Sequence, residues 1–363
     1  MARYASALLA VLAALAAPAT TTQAAPPQFA QVTPGKTPAF PQDAGAHPQY
    51  RTEWWYVTGW LDTPEHKPLG FQVTFFRSAT TVDAANPSSF APRQLIIAHA
   101  ALSDPALGRL LHAQKSGREG FGLNYAKVGN ADLKLDGWRM VRNAQGRYSA
   151  DIATPDYTLH LNLTPSQPVL LEGEQGYSQK GAQAGQASYY YSEPQLKIAG
   201  SLTRTGKTQA VGGTAWLDHE WSSQVLAPDA TGWDWAGINL ADGGALMAFR
   251  IRNAQNDKIW AHATLRDASG HVAQYAADQV SFTAKRRWRS PQTHADYPVA
   301  VDIQTGPTRW ELAPLQDNQE LDARASTGAV YWEGAVSVKR DGHETDVGRG
   351  YLELTGYVDR LKL

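Results

Sequence analysis

Hydrophobic and polar residues alternate with a period of two through nearly the whole chain from residue 51 onward. Leu159, Leu161 and Leu163 share one face of such a run, and alternate positions of residues 196–202 repeat the pattern. A period of two is typical of a strand with one buried face, because successive side chains point to opposite sides. Helical patterns are sparse, and residues 318–324 are the candidate for a short helix. The pattern therefore predicts a chain built of β-strands.

Turn sequences divide these strands into hairpins. Residues 242–244 (Asp-Gly-Gly) separate two apolar runs, residues 269–270 (Ser-Gly) end another, and residues 341–342 (Asp-Gly) join the last two. Such turns favour tight antiparallel connections. A meander of hairpins can remove its exposed edges by closing into an up-and-down barrel, often around an apolar cavity. We therefore expect an all-β fold of antiparallel barrels.

An internal comparison indicates that this architecture occurs twice. Trp55 is followed seven residues later by Asp62, and Trp235 is followed by Asp242 at the same spacing. Each pair precedes a strand that ends in Phe-Arg. We interpret the match as a duplication. It predicts one barrel over residues 50–225 and a second over residues 232–363.

The N-terminal residues have the pattern of an export signal. Arg3, an apolar run over residues 7–16 and small residues near Ala24 predict a signal peptide over residues 1–24. We expect the Pro-rich residues 25–49 to form an extended leader, and the protein to be exported to the periplasm or the medium. No later segment reaches about 18 apolar residues without charge, so stable insertion into a membrane is not expected.

Composition narrows the choice of partners and cofactors. Thirty-three Lys and Arg against 34 Asp and Glu leave a net charge of −1, which gives no electrostatic reason to expect nucleic acid. The absence of cysteine excludes disulfides, thiolate metal sites and a cysteine nucleophile. His219-Glu220 and His343-Glu344 lack the second histidine of a zincin, and no Gly-rich phosphate loop precedes a helix. We therefore expect no metal and no cofactor; the apolar cavity of a closed barrel makes a hydrophobic small molecule the expected partner.

The richest cluster of chemical side chains lies where the first barrel ends. On a strand, Asp218 and Glu220 share one face with Trp216, whereas His219 points to the other face with Trp221. A carboxyl enclosed by indoles loses hydration, which raises its pKa and allows it to donate a proton at neutral pH. Indole faces can also stabilise a cation by about 0.5–2 kcal/mol each. These are the groups needed to protonate an alkene.

A carboxylate between two indoles opens the second barrel, where Asp234 lies between Trp233 and Trp235. It is a second candidate acid, although it could instead sit on the barrel rim and pair with Arg250. In the first barrel Glu53 lies near the equivalent position, and the adjacent indoles of residues 54 and 55 point to opposite faces of their strand. One of these indoles would fill the barrel and the other would meet the second barrel.

The closing segment, residues 348–357, alternates polar and apolar positions. Tyr351 and Glu353 share one face, and Leu352 and Leu354 share the other. For a closing strand, we interpret this pattern as a core stripe with a polar outside in preference to a ligand contact. Tyr351 remains a candidate for contact with substrate.

Four segments together carry a family resemblance. They are residues 53–59 (Glu-Trp-Trp-Tyr-Val-Thr-Gly), 216–221 (Trp-Leu-Asp-His-Glu-Trp), 232–235 (Gly-Trp-Asp-Trp) and 350–357 (Gly-Tyr-Leu-Glu-Leu-Thr-Gly-Tyr). In this order they resemble the carotenoid 1,2-hydratase (hydroxyneurosporene synthase) family, which includes exported bacterial proteins described as secreted hydrolases or attachment-type proteins. The resemblance extends over essentially the whole mature chain. It implies two tandem lipocalin-like barrels and, for the hydratase members, cofactor-independent addition of water to an isoprenoid double bond.

The sequence thus leads to an exported hydratase-like enzyme acting on an apolar, isoprenoid-like alkene. Asp218 or Asp234 would protonate the double bond, and His219 or Glu220 would deprotonate the incoming water. Substrate contacts are expected from Glu53, Trp55, Trp221, Trp233, Trp235, Arg250 and Tyr351. Two alternatives use the same residues differently: a periplasmic carrier of a hydrophobic ligand without chemistry, and a secreted hydrolase whose acid pair acts on water.

Overall fold

The computed structural model describes residues 29–83 and 85–361. The expected signal peptide, residues 1–24, lies outside these residues. The described part holds 23 strands and three single-turn 3-10 helices, namely Gln42–Ala44, Pro105–Leu107 and Ala277–Gln279. Among the described residues no helix is long and apolar enough to cross a membrane. The all-β fold is confirmed.

Thirteen strands form the first sheet. In chain order they are β1 (Thr52–Asp62), β2 (Leu69–Ala79), β3 (Gln94–Asp104), β4 (Arg109–Arg118), β5 (Tyr125–Ala126), β6 (Asp132–Leu135), β7 (Trp138–Arg142), β8 (Tyr148–Ala153), β9 (Tyr157–Thr164), β10 (Leu170–Leu171), β11 (Tyr177–Gln179), β12 (Ala187–Arg204) and β13 (Lys207–Gln224). Their spatial order is β4-β3-β2-β1-β13-β12-β9-β8-β7-β6-β5, with β10 and β11 paired to β12. Most neighbours are hairpins, and the long pair β12–β13 returns the chain to β1.

Ten strands form the second sheet. They are β14 (Gly232–Leu240), β15 (Ala245–Arg252), β16 (Lys258–Arg266), β17 (Val272–Tyr275), β18 (Val280–Arg289), β19 (Asp296–Thr305), β20 (Thr308–Pro314), β21 (Glu320–Ala323), β22 (Ala329–Arg340) and β23 (Gly348–Leu354). Their order is β17-β16-β15-β14-β23-β22-β20-β19-β18, with β21 paired to β22. Each sheet curls around its own core, so two antiparallel barrel-like units follow one another along the chain.

A third apolar cluster joins the two units, and alternate residues of the central strands supply it. On β1, Trp55 lies in the core of the first unit, whereas Trp54 packs against the second unit with its ring 6.5 Å from that of Trp233. The expectation that the two adjacent indoles divide between barrel and neighbour is therefore confirmed. The strand period that fills each core also builds the surface between the units.

Equivalent acids mark the duplicated architecture. In the first unit Glu53 lies opposite Arg77 across β1 and β2, with Arg77 Nε 2.8 Å from the carboxylate. In the second, Asp234 lies opposite Arg250 across β14 and β15, with Arg250 Nε at 2.7 Å. Both acids are buried inside their own unit. The two units therefore share an acid-arginine pair at the start of their first hairpin.

This equivalence corrects the repeat register by one residue. The sequence match of Trp55 with Trp235 is offset by 180 residues, but these indoles face different ways: Trp55 fills a barrel, and Trp235 faces the neighbouring unit. An offset of 181 instead aligns Trp54 with Trp235, which both belong to the cluster between the units. A slip of one residue moves a side chain to the other face of the sheet, so only the second register preserves burial.

Two other expectations are wrong. Residues 318–324 do not form a helix, because Glu320–Ala323 is strand β21, in which Leu321 and Ala323 are buried on one face. The part of the leader that the structure describes is not extended from the barrel. It folds onto the first unit, where the Trp55 indole donates a hydrogen bond of 3.1 Å to the Ala44 carbonyl. The leader thereby brings a histidine, His47, into the first barrel.

Candidate active site

Strand β13 distributes the candidate residues between two sites. Asp218 and Glu220 face the second unit with Trp216, while His219 and Trp221 lie inside the first barrel. The alternation predicted for this segment is therefore confirmed. We call the group inside the first barrel, formed by Glu53, His47, His219 and Arg77, the closed cluster. The acidic region between the units is called the inter-barrel site.

Every oxygen of the Glu53 carboxylate in the closed cluster is occupied. Oε2 accepts hydrogen bonds from the His47 backbone N–H and from Arg77 Nε, both at 2.8 Å. Oε1 lies 2.7 Å from His47 Nδ1 and 2.8 Å from His219 Nε2. Burial raises the pKa of Glu53, but the hydrogen bonds from the two histidines and the positive charges outweigh burial and hold that pKa well below its usual range. The group is an ionised, saturated acceptor.

His219 is similarly enclosed. Its ring lies 4.5 Å from that of Trp55 and 4.8 Å from that of Trp221, and its Nδ1 contacts the Tyr191 hydroxyl at 3.1 Å. Burial lowers the pKa of His219 to about 4, although Glu53 opposes the shift, so the ring is neutral at pH 7. The structure thus places His219, Trp55, Trp221 and Glu53, four of the predicted site residues, in a packed interior.

The closed cluster also has the donor set of a metal site. One ligand atom each from His47, Glu53 and His219 lies within 4.8 Å of the others. However, His47 Nε2 is already 3.0 Å from Asp43, and Arg77 neutralises the carboxylate from the other side. The cluster is therefore complete as a hydrogen-bonded network of charges.

Asp234 lies in the second barrel, on the strand face opposite Trp233 and Trp235. Its carboxylate accepts from Arg250 Nε at 2.7 Å and from Arg252 Nε at 3.0 Å, and the Tyr357 hydroxyl donates to it at 3.0 Å. The structure thus separates Asp234 and Arg250 from Asp218. The pairing with Arg250 that the sequence left as an alternative is present.

Asp218 anchors the inter-barrel site. It accepts hydrogen bonds from Ser192 Oγ and Trp216 Nε1, both at 2.6 Å, and from the Tyr190 hydroxyl at 2.7 Å. The Trp235 indole donates to the same tyrosine at 3.0 Å. Burial raises the pKa of Asp218 to about 7 even though these three donors lower it. Asp218 can therefore hold or release a proton at neutral pH.

A second carboxyl shares one of these donors. Ser192 Oγ also lies 2.9 Å from Glu172 Oε1, but a hydroxyl has a single proton and cannot donate to both acids at once. Burial raises the pKa of Glu172 to about 8, and the nearby Asp218 charge adds to the shift. The close acids Glu172 and Asp218 therefore hold at least one proton between them at neutral pH. Sequence analysis missed Glu172 because it lies outside every motif.

Two further acids face each other across the last hairpin. Glu333 on β22 is directly opposite Glu353 on β23; Glu333 is buried and Glu353 is half-buried. Burial and the opposing carboxyl raise the pKa of Glu333 well above its usual value. Burial raises that of Glu353 to about 7 against a hydrogen bond from Trp233 Nε1 of 3.0 Å. Two like charges at this position would repel, so the pair retains a proton.

The interpretation of this closing strand as a core stripe with a polar outside is wrong. Tyr351 and Glu353 face the first unit, where Tyr351 is buried and Glu353 half-buried, whereas Leu352 and Leu354 fill the second barrel. Both faces of β23 are therefore enclosed. A period of two shows that a strand has two faces, but it does not show that a second sheet covers the polar one.

A small cavity of about 30 Å³ opens among the indoles of the inter-barrel site. It is lined by Trp54, Lys180, Glu220, Val225, Trp233, Trp235, Phe249 and Ile251. Lys180 Nζ lies 3.2 Å from Glu220 Oε1 and 4.1 Å from the centre of the Phe249 ring. Val225 also lines a wider cleft of about 370 Å³ with Arg51 and Arg360. The aromatic cavity therefore adjoins a route to solvent.

These features define a class of protein with two tandem β-barrels and a buried, acid-rich aromatic site between them. The family model described as AttH-like matches residues 31–357, and the chain belongs to this family. The predicted resemblance to the carotenoid hydratase and attachment-type group is thereby confirmed. No protein with a curated description matches the chain.

Solved structures support the assignment. The chain is 60% identical to NE1406 of Nitrosomonas europaea, described as an AttH protein, with a TM-score of 0.85 over 91% of this chain and 100% of that one. Kievitone hydratase from Nectria haematococca is 15% identical, with a TM-score of 0.68 over 92% of this chain and 98% of that one. CghA in complex with Sch210972 is 13% identical, with a TM-score of 0.51 over 85% and 89%. The last two share the fold, which confirms the tandem lipocalin-like architecture.

Proposed function

We propose that this chain is an exported hydratase-like enzyme that adds water to a carbon–carbon double bond of an apolar, isoprenoid-like ligand. The observation that carries the proposal is the half-buried Glu353, whose carboxyl has a pKa raised to about 7 and accepts a hydrogen bond from the Trp233 indole, which walls the cavity containing Glu220. Export rests on the pattern of the N-terminal residues. The fold shared with kievitone hydratase supports the reaction class.

Glu353 is the proposed proton donor. An alkene has no lone pair, so hydration begins when an acid transfers a proton to carbon. A carboxyl with a pKa near 7 is substantially protonated at neutral pH, which an ordinary glutamate is not. The charge that remains on Glu353 after transfer is stabilised by the hydrogen bond from Trp233 Nε1.

Aromatic faces surround the carbocation formed by this step. Trp54, Trp233 and Trp235 line the cavity, and indoles attract cations through their negative faces. The Glu353 carboxyl accepts a hydrogen bond from Trp233, and Asp218 is linked to Trp235 through the Tyr190 hydroxyl; both carboxyls add a negative field as they ionise. The region favours a cation over the neutral alkene, which is the requirement for acceleration.

Glu220 is the proposed base. It lines the cavity in contact with Lys180, and Oε1 makes no hydrogen bond of normal geometry within the described residues. The oxygen of a water molecule bonds to the carbocation while one of its protons passes to Glu220. Return of that proton to Glu353 completes the cycle, so the net change is the addition of one water to the double bond.

The test is turnover in heavy-oxygen water of apolar compounds that copurify with the exported protein. We expect the product to gain the mass of one labelled water. Glu353→Gln and Glu220→Gln should each lower the rate by about 10²- to 10⁴-fold, because proton transfer by a positioned group contributes this much. Mass spectrometry of the product measures both effects.

Glu193→Gln is the matched control, since Glu193 is also a buried carboxyl with a raised pKa, but it is hydrogen bonded to Tyr148 inside the first barrel. This variant should keep the wild-type rate. A bound alkene that never acquires label would contradict the hydratase function and favour the alternative, a carrier of a hydrophobic ligand. Full activity in Glu353→Gln would remove Glu353 as the acid.

A further inference from the structure

A group of buried polar side chains lies beyond the indole cavity and has no part in the proton transfers. On β1, Tyr56 and Thr58 face the second unit, and Gln72 is the neighbour of Thr58 across β2. Glu333 faces them from β22, where its carboxyl contributes to the raised pKa of Tyr56 after the larger effect of burial. We call these four residues the polar recess.

Four oxygens of the polar recess lack a normal hydrogen bond among the residues that the structure describes. Thr58 Oγ1 and Gln72 Oε1 are buried and make no hydrogen bond in the described part of the chain, whereas the buried Tyr56 hydroxyl and Glu333 carboxyl face each other without a hydrogen bond of normal geometry. Each residue is at most 6% exposed. An unpaired buried polar group costs about 1–3 kcal/mol of stability, so several such groups in one place destabilise the fold unless an outside group pairs with them. Their concentration indicates a site that is built for a polar group from outside the chain.

The position of the recess relates it to the cavity. The ring of Tyr56 lies 5.4 Å from that of Trp235, which lines the cavity. Glu333 lies opposite Glu353, which is bonded to the Trp233 indole. From residue 54 to residue 58 the strand advances about 13 Å, since each residue adds about 3.3 Å. A ligand whose apolar part contacts the indoles would therefore need about this length to reach the recess.

The charge of the recess limits the chemistry of that end. The charged group acting on Glu333 is the Glu353 carboxyl, and no cation offsets it among the groups that shift its pKa. A carboxylate or phosphate would be repelled here. Gln72 Nε2 already donates to Thr74, so Gln72 offers only its acceptor oxygen, whereas the hydroxyls of Tyr56 and Thr58 and the protonated carboxyl of Glu333 can each donate or accept. A group that both donates and accepts without negative charge satisfies them best.

We infer that the polar recess binds an uncharged hydroxyl group at one end of the apolar substrate. The inference deepens the proposed function by assigning the substrate class: an isoprenoid-like alcohol with its double bond among the indoles. Recognition of the head group would fix which carbon faces Glu353, because the distance from the hydroxyl to the acid is set by the strands.

Binding to a matched set of ten-carbon probes tests this inference at pH 7. Geraniol, geranylamine, geranic acid and the parent diene hydrocarbon differ only at the head group. We expect geraniol to bind more tightly than the hydrocarbon and both charged compounds by isothermal titration calorimetry. Thr58→Val removes the hydroxyl while keeping the shape, and it should weaken geraniol binding about 2- to 10-fold, the value of one hydrogen bond. The hydrocarbon should bind equally well to both proteins.

Thr203→Val is the control, because it makes the same change at the partly exposed tip of the β12–β13 hairpin, and it should leave all four affinities unchanged. Tightest binding of the amine or the acid would overturn the inference, as would equal binding of geraniol and hydrocarbon to the wild type, or no binding of any probe. The measurement needs no turnover. Geraniol binding that depends on Thr58, without any labelled product, would contradict the proposed hydratase function and support the hydroxyl site. Hydration without a preference for one head group would support the hydratase function and contradict the hydroxyl site.

Discussion

The closed cluster and the inter-barrel site lie on opposite faces of the same strands, yet they treat their carboxyls in opposite ways. In the closed cluster, one carboxylate, Glu53, meets Arg77 and two histidines, and its pKa is held well below the ordinary range. In the inter-barrel site, pKa values rise to about 7 at Asp218 and Glu353 and to about 8 at Glu172. His219 and Glu220, adjacent in sequence, fall one on each side of this division.

The difference teaches that composition alone does not distinguish a structural acid from a chemical one. Both regions contain acids among tryptophans, which is why the sequence offered residues from both as candidates. The positively charged partners distinguish the two kinds of acid. Glu53 and Asp234 have arginines at hydrogen-bond distance. In the inter-barrel site Lys180 contacts Glu220, and Asp218 and Glu353 are hydrogen bonded to neutral donors. A carboxylate paired with an arginine stays ionised and serves the fold, whereas a carboxyl without a cationic partner remains available for proton transfer.

Removing the charge of Glu53 should produce the largest effect. Glu53→Gln leaves Arg77 buried without its counter-charge and removes one of the two carboxylates that contact His47, and breaking a buried pair in this way costs about 3–5 kcal/mol. The free energy of unfolding in urea measures the loss. Glu353→Gln, at a half-buried position without a cationic partner, is the comparison and should show no such loss. Equal losses in the two variants would contradict the distinction between the clusters.

The pH dependence of stability should separate the clusters next, with a smaller effect. Glu353 has a pKa of about 7 when folded and about 4.5 when unfolded, so the folded state holds the extra proton and loses stability as pH rises from 4.5 through 7. Glu53 has the opposite sign: its contribution is present above pH 4.5 and is lost on acidification. Glu353→Gln should therefore be stabilised relative to the wild type at pH 8 by about 1–2 kcal/mol.

Urea unfolding at pH 5 and pH 8 checks this prediction. The difference between variant and wild type should appear at pH 8 and nearly vanish at pH 5, where the wild-type carboxyl is already protonated in the folded state. Glu193→Gln, outside the pair of facing acids, controls for the loss of a buried carboxyl in general. A variant that is less stable than the wild type at pH 8 would show that Glu353 has a cationic partner after all.

The sequence predicts the strands and their alternating faces correctly because a period of two is a local property of the chain. It separated Asp218 from His219 on β13 correctly for this reason. It could not choose between Asp218 and Asp234, because the arginines that neutralise Asp234 come from a neighbouring strand whose register is a property of the whole sheet. It also could not foresee Glu333 opposite Glu353, which joins two strands only when the last hairpin closes.

His47 shows the same limit at the other end of the chain. The Pro-rich leader carries no strand pattern, so nothing in its composition indicated that it would enter the first barrel. Its ring stacks on Trp221 with centres 3.9 Å apart and bonds to Glu53. The leader is therefore part of the closed cluster, and the physical signal for this contact is the remaining acceptor capacity of the buried Glu53 carboxylate, which exists only once the barrel has formed.

The smallest expected effect concerns the donor that Asp218 and Glu172 share. Ser192→Ala removes a hydrogen bond that lowers the pKa of Asp218, so that pKa should rise by about one pH unit, since a bond to a charged group is worth about 1.5 kcal/mol or more. Carbon-13 NMR of labelled aspartate carboxyls, with Asp218 assigned from the signal missing in Asp218→Asn, follows the titration directly. Ser188→Ala is the matched control on the same strand, because Ser188 Oγ is buried and has no partner within the described residues. An unchanged titration in Ser192→Ala would mean that the serine donates to Glu172 instead. The pKa of Glu172 should then rise in place of that of Asp218, and the proton held between the two acids would belong to Asp218.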